Sequence, residues 1–373
     1  MTKFYNNSLD FLSRKRLTLI EIGKIPPTYP TTVMKTWILF GVAAFGIAGT
    51  GFGQFATEPV GVVNVTVRRN SDATIAVPLN RSPEYKGTIS AISGNSITLN
   101  GAPGWANGQF VPLATDNKTY AVQFASGVKE GMIGKITGNT QNSITVELDA
   151  GDNLSGIVVG ASGDFVDIFP YWTPATLFSP APPVGFELSG FEGAGVGTNV
   201  GASEIYVHVG GNVWEDGVNG GEDPHRPLRF GGGFVARNNS GADYTAALVG
   251  SVPMNASRIR LVTKAGGVAQ DQYIGYMSPV PEAIATVSNP NALEFPVSVG
   301  DTIQGFDNSV LGINKGADEI FVWTGTEWED GVNGGSVTPG VQSLKPGFGY
   351  IYQKAATASP TSVVWSRVPS YLQ

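Results

Sequence analysis

The chain has 373 residues, 42% hydrophobic and 14% charged, with 50 Gly, 24 Pro, two His and no Cys. The charged fraction is about half the usual ~25%, which excludes long solvated helices with paired charges. The absence of Cys excludes thiol catalysis, Cys-ligated zinc, iron–sulfur clusters and disulfides. Gly and Pro together make 74 residues, below the disordered range and suited to short strands joined by tight turns.

The first readable element is an address. Met34 and Lys35 precede an apolar run from Trp37 to Ala48, and Gly51-Phe52-Gly53 offers a small-x-small cleavage site. This pattern predicts a secretory signal peptide over 34–53, with residues 1–33 a mis-assigned start or an extended n-region. The alternative is an uncleaved anchor, which the five glycines of the 19-residue stretch Trp37–Phe55 disfavour. Removing everything before residue 54 takes away six basic and two acidic residues. The remainder carries 17 basic against 28 acidic residues, a net charge of −11. Nucleic acid and anionic lipid are poor partners for such a surface.

From Glu58 onward the pattern alternates and is rich in Val, Ile and Thr. Val60–Val67 and Ala73–Leu79 read as strands. Gly87–Leu99 and Gly134–Val146 read as two similar hairpins, each containing an Asn-Ser-Ile-Thr run. With Tyr120–Phe124 between them, residues 54–160 are expected to form one small barrel or sandwich. Prolines at 170, 174, 180, 182 and 183 mark the next boundary.

The remainder carries an internal repeat. Trp214–Gly221 recurs identically as Trp328–Gly335. Gly201–Val207 matches Gly316–Val322, and Gly190-Phe191 matches Gly305-Phe306, with offsets of 114 to 116 over ~70 residues. Identity over eight aligned residues points to a duplicated β-sandwich-like unit, over 161–270 and 271–373. No segment holds a helical period over ten residues. The expected fold class is all-β.

Several motifs together carry a resemblance: Glu58–Gly61 after the signal segment, Phe110-Val111, Ser126–Gly131, Asp152–Gly156, Pro170–Phe178 and the Val368–Leu372 ending. With them the chain resembles a paralogous family of exported, β-rich proteins of Gram-negative bacteria that has no established biochemical function. The resemblance covers essentially the whole exported chain. It implies export and β architecture, and supplies no catalytic residues. The two Asp-Gly-Val-Asn-Gly-Gly loops depart from the shorter hairpins it implies there.

Three chemistries are worth weighing. Asp216 and Asn219, repeated as Asp330 and Asn333, with Glu222 and Asp223 near the first pair, place oxygen donors on Gly-rich loops as Ca²⁺ requires. The EF-hand spacing is absent, and a polar turn is the plainer alternative. Tyr206, Trp214, Phe321, Trp323 and Trp328 are the residue types that stack on sugar rings, although aromatics on adjacent strands also serve as core packing. Hydrolysis has little material. Glu215 and Asp216 are adjacent and so point to opposite faces of a strand, and there is no Gly-x-Ser-x-Gly elbow for His208 or His225 to serve. The sequence therefore predicts an exported, non-catalytic structural or adhesive protein of the cell envelope or extracellular space. Its expected partners are itself, envelope components or polysaccharide. A carbohydrate-binding protein using the aromatic hairpins is the first alternative, and a secreted hydrolase the second.

Overall fold

The computed structural model describes residues 58–111, 118–192, 195–221 and 226–373. The expected signal peptide and residues 1–33 lie outside these, as do Glu222, Asp223 and His225. The described residues are almost entirely β. The chain opens with β1 (Val60–Val67) and β2 (Ser71–Ala76). Six strands follow: β3 (Tyr85–Ser93), β4 (Ser96–Leu99), β5 (Tyr120–Phe124), β6 (Ile133–Asn139), β7 (Ser143–Leu148) and β8 (Phe165–Pro170). After a single helical turn at Pro174–Leu177 come β9 (Glu187–Gly190), β10 (Glu204–Gly210), β11 (Val213–Asp216), β12 (Gly233–Asn238) and β13 (Tyr244–Ser251). The last group is β14 (Ser257–Thr263), β15 (Gln270–Gly275), β16 (Glu282–Ala283), β17 (Thr302–Gly305), β18 (Glu319–Trp323), β19 (Trp328–Asp330), β20 (Ser343–Leu344), β21 (Gly349–Lys354) and β22 (Thr361–Arg367).

Strands β3 to β8 close into a barrel in the order β3-β4-β7-β6-β5-β8. Both expected hairpins are its ribs. In the first, Ser93 faces Ser96, and Gly94 at φ 58 supplies the positive φ that a two-residue loop needs. Ile89, Ile97, Ile136, Ile144 and Ile168 fill the interior. An edge-to-face chain of Tyr85, Trp105, Phe110 and Tyr120 packs with them.

The first two strands do not join this barrel, as the grouping of residues 54–160 had them do, and β8 closes it beyond residue 160. β1 pairs with β13 and β2 with β12, both antiparallel. The reason is burial. Val65 and Val67 of β1, with Ala73 and Ile75 of β2, complete a core around Trp172, Leu188, Phe234 and Leu248. The barrel therefore leaves the chain after β2 and returns before β9. Its two connections are fastened together where Trp172 Nε1 donates to the Leu79 carbonyl at 2.8 Å.

Two five-stranded sheets make up most of the rest, ordered β11-β10-β9-β12-β2 and β19-β18-β17-β21-β15, with two-stranded ribbons β1–β13, β14–β22 and β16–β20. Register repeats as well as order. Gly190 faces Glu204 and Leu188 faces Tyr206 in the first sheet, while Gly305 faces Glu319 and Ile303 faces Phe321 in the second.

The sheets meet where backbones approach closely. Ala76 N donates to Gly347 O and Gly275 N to Gly231 O, each at 2.9 Å. A Cβ on Gly275 would stand 2.3 Å from that of Ala76, so only glycine fits there.

Among the described residues no helix is long and apolar enough to cross a membrane.

Candidate functional site

The aromatic residues singled out in the repeats lie inside the two cores. Tyr206, Trp214, Phe321 and Trp328 are at most 2% exposed and Trp323 is 9% exposed. Trp214 sits opposite His208 on the neighbouring strand and stacks on Phe178 at 5.8 Å. Trp323 and Trp328 face each other across β18 and β19 in an edge-to-face pair at 5.4 Å. Burying such rings removes large apolar areas from water, and it leaves no aromatic platform on these hairpins for a sugar. The expectation that these five residues stack on sugar rings is corrected on that ground.

The repeated loops have an equally internal role. Asp216 Oδ1 accepts from the backbone N–H groups of Val218 (2.8 Å) and Asn219 (2.9 Å), and Oδ2 accepts from Asn219 Nδ2 at 2.9 Å. Asp330 repeats the pattern with Val332 and Asn333 at 2.9, 2.9 and 3.0 Å. The Asn219 side chain and the two N–H groups hold the Asp216 carboxyl below its ordinary range, and Asn333 does the same for Asp330. Three N–H dipoles point at each carboxylate with their positive ends, where a Ca²⁺ ion would need oxygen donors. The four residues form Asx turns and do not present an open cage. Glu222 and Asp223 lie outside the described residues, and among the described ones no three His, Asp or Glu cluster as metal ligands.

His208 is buried, its two ring nitrogens 3.2 Å from the carbonyl oxygens of Pro183 and Gly211. Glu215 is exposed while its neighbour Asp216 is buried, as strand alternation requires.

A concave surface lies between the two sheets. Each strand sends alternate side chains to its core and to the gap. In β2, Ala73 and Ile75 enter the core while Asp72 and Thr74 line the gap; in β12, Phe234 and Ala236 go inward while Val235 and Arg237 line it. The second sheet does likewise, with Ile274 and Tyr352 inside and Tyr273, Ile351 and Gln353 outside. The resulting cleft encloses about 850 Å³.

Two loops strap across the sheets in a reciprocal manner. Asp72 N donates to Gly312 O at 2.9 Å, and Asn314 N donates to Asp72 Oδ2 at 2.8 Å. In the other direction Asp271 N donates to Gly197 O at 3.0 Å, and Asn199 N donates to Asp271 Oδ2 at 2.6 Å. Arg237 grips Asp72 through Nε (2.7 Å) and Nη2 (2.9 Å). Gln353 occupies the matching place beside Asp271 at 2.9 Å.

At one end of the cleft the Phe191 and Tyr273 rings stack with centroids 3.6 Å apart and planes 10° apart. This pair also lines a second cavity of about 560 Å³, which in turn shares Asp149, Glu192 and Arg229 with a third of about 300 Å³ at the barrel rim. There arginines are matched to acids: Arg229 to Asp149 at 3.0 Å and to Glu192 at 3.6 Å, and Arg258 to Asp152 at 2.9 Å. Arg260 also contacts Asp152. Burial outweighs Arg229 and raises the Glu192 carboxyl above its usual range. The Asp149 and Asp152 pairs tie the barrel to the segment before β12 and to β14.

Sequence reasoning passed over the cleft residues. The available signal was the alternation of Asp72 and Thr74 with Ala73 and Ile75, together with the matched Phe191 and Phe306 directly after β9 and β17. No protein-family model, curated protein or solved structure matches the chain; the resemblance to an exported paralogous family rests on its motifs alone.

Proposed function

We propose that the chain is an exported, non-catalytic structural or adhesive protein of the cell envelope or extracellular space, acting through contact rather than turnover. The observation that carries this reading is that groups capable of chemistry are engaged in holding the fold. Asp216 and Asp330 are bound by their own loops, Asp149 and Asp152 by arginines, and His208 faces two carbonyl oxygens. Export rests on the 34–53 signal pattern, and the net charge of −11 left after its removal favours partners other than nucleic acid.

The finer architecture belongs to the same reading. The two sheets, with their matching order and register, are copies of one module, and the barrel is an insertion between β2 and β9 of the first copy.

The test pairs a broad panel of glycosides and esters with sedimentation of the purified protein. The reading expects no turnover above a heat-denatured control, with self-association or attachment to envelopes. Sustained turnover by a monomer that leaves envelopes untouched would favour the secreted hydrolase instead.

A further inference from the structure

We propose that the free edge of β1 is an interface between copies of this chain. Two β1 strands pair antiparallel about a two-fold axis at Val63, joining their ribbons into one sheet of order β13-β1-β1-β13. This rests on the reading of the protein as one that works by contact, and it names the partner as a second copy.

The backbone comes first. β1 pairs with β13 alone, over all 8 of its residues. The Val252 N–H donates to the Pro59 carbonyl at 2.8 Å, which fixes the alternation of this antiparallel ladder. Gly61, Val63, Val65 and Val67 bond to β13, while Val60, Val62, Asn64 and Thr66 turn their N–H and C=O groups the other way. Among the described residues nothing bonds to those outward groups.

The second ribbon makes the contrast. β14 holds the matching place there, and side chains close its edge. Gln272 Oε1 accepts from Val262 N at 2.6 Å, and Gln272 Nε2 donates to Arg260 O at 3.2 Å. Just before the strand, Glu130 Oε1 accepts from Ala256 N at 2.9 Å. β1 has none of these caps, and an uncovered edge strand is a template for another strand.

The exposed face agrees. Val60 is 68% and Val62 60% exposed, and Val249, opposite Val62, is 47% exposed. Asn64, Thr66 and Thr245 continue this face. None of these six carries the charge that guards many natural edges against pairing.

Charge chooses the partner and the register. At the start of the strand Glu58 and Asp167 share Lys86, an excess of one negative charge. At its end Arg68 and Arg69 share Asp243, an excess of one positive charge. Antiparallel pairing sets each end against the opposite end of the other copy. Outward groups meet only in registers that pair even-numbered residues with even-numbered ones. The register centred on Val63 places Val62 opposite Asn64, Val60 opposite Thr66 and Glu58 opposite Arg68 of the second copy. A strand that is its own complement in this way builds a closed, isologous dimer by strand addition.

The experiment is sedimentation velocity of the purified protein over a range of concentrations, together with oxidation of introduced cysteine pairs. The chain has no Cys of its own, so the introduced thiols act alone. The expected result is a concentration-dependent dimer. Val62→Pro removes an outward N–H and no bond to β13, and should weaken the dimer about tenfold or more while melting stays cooperative. Val62→Cys/Asn64→Cys should oxidise to a covalent dimer, and Val60→Cys/Val62→Cys, out of register, should not. Should Val62→Pro lose its cooperative melting, the two cysteine variants decide. The proposal is overturned by a monomer at every concentration, by a dimer indifferent to a folded Val62→Pro, or by a first cysteine pair that links copies no better than the second. Each of those outcomes leaves the contact role itself standing, because attachment to envelopes is read separately.

Discussion

Trp328 and Trp365 share one core and are both 1% exposed, yet their indole nitrogens differ. Trp365 Nε1 donates to the Leu293 carbonyl at 2.7 Å, whereas Trp328 Nε1 is buried without a partner. Replacing Trp365 by Phe strands a buried acceptor; replacing Trp328 by Phe removes a stranded donor. With similar apolar losses, Trp365→Phe should be more destabilising than Trp328→Phe by about 1–3 kcal/mol in urea unfolding. Equal losses would show that the orphan N–H of Trp328 carries no cost.

The Asx-turn carboxylates make a prediction about acid. Folding favours the ionised form of Asp216 and Asp330, principally through the Asn219 and Asn333 side chains. Their contribution is therefore present above the ordinary carboxyl value of 3.8 and fades as pH falls through the lower folded value. An Asp216→Asn/Asp330→Asn variant should melt below wild type at pH 7, and the gap should close as the pH drops below 4. A gap that stays constant across a melting series to pH 2.5 contradicts the assignment. These residues were legible as a repeated motif. Their role was not, because a Gly-rich acidic loop reads the same whether its carboxylate faces a cation or its own backbone.

At the scale of elements, β21 carries a charge into the core. Lys354 Nζ lies 2.6 Å from Asp301 Oδ2, with both side chains at most 3% exposed. The Tyr352 hydroxyl donates to the same oxygen at 2.6 Å and the Ala355 N–H to Oδ1 at 2.7 Å. Burial, with Asp301 beside it, pushes the Tyr352 phenol far above its usual range. Removing one partner leaves a buried charge, so Lys354→Met should cost about 3–5 kcal/mol, and adding Asp301→Asn should recover much of it. Purely additive losses in the double variant would mean the two groups are not coupled.

The elements themselves were largely readable. Val60–Val67 and the barrel hairpins follow from period-two alternation, and Trp214–Gly221 announces its hairpin by recurring at 328. Partners were not readable. β2 pairs with β12, whose residues lie some 160 positions further on, and nothing local in Ser71–Ala76 distinguishes that partner from a barrel neighbour. The faces of the aromatics were hidden for a related reason, since the pattern gives alternation but not which side meets the core.

For the whole molecule, the reciprocal straps and the glycine-sized approach at Gly275 join two sheets around one cleft, while arginine–carboxylate pairs bind the barrel to β14 and to the segment before β12. Such an arrangement is suited to presenting a shaped surface. The composition anticipated the β architecture. The cleft was invisible because it is built by residues from six separated stretches, each unremarkable alone.

The contact role is tested most directly by sedimentation of the labelled protein with washed envelopes of the producing cell. Saturable co-sedimentation, with protein and envelope recovered chemically unchanged, is the expected result. Full recovery of the protein in the supernatant at every envelope concentration would contradict it.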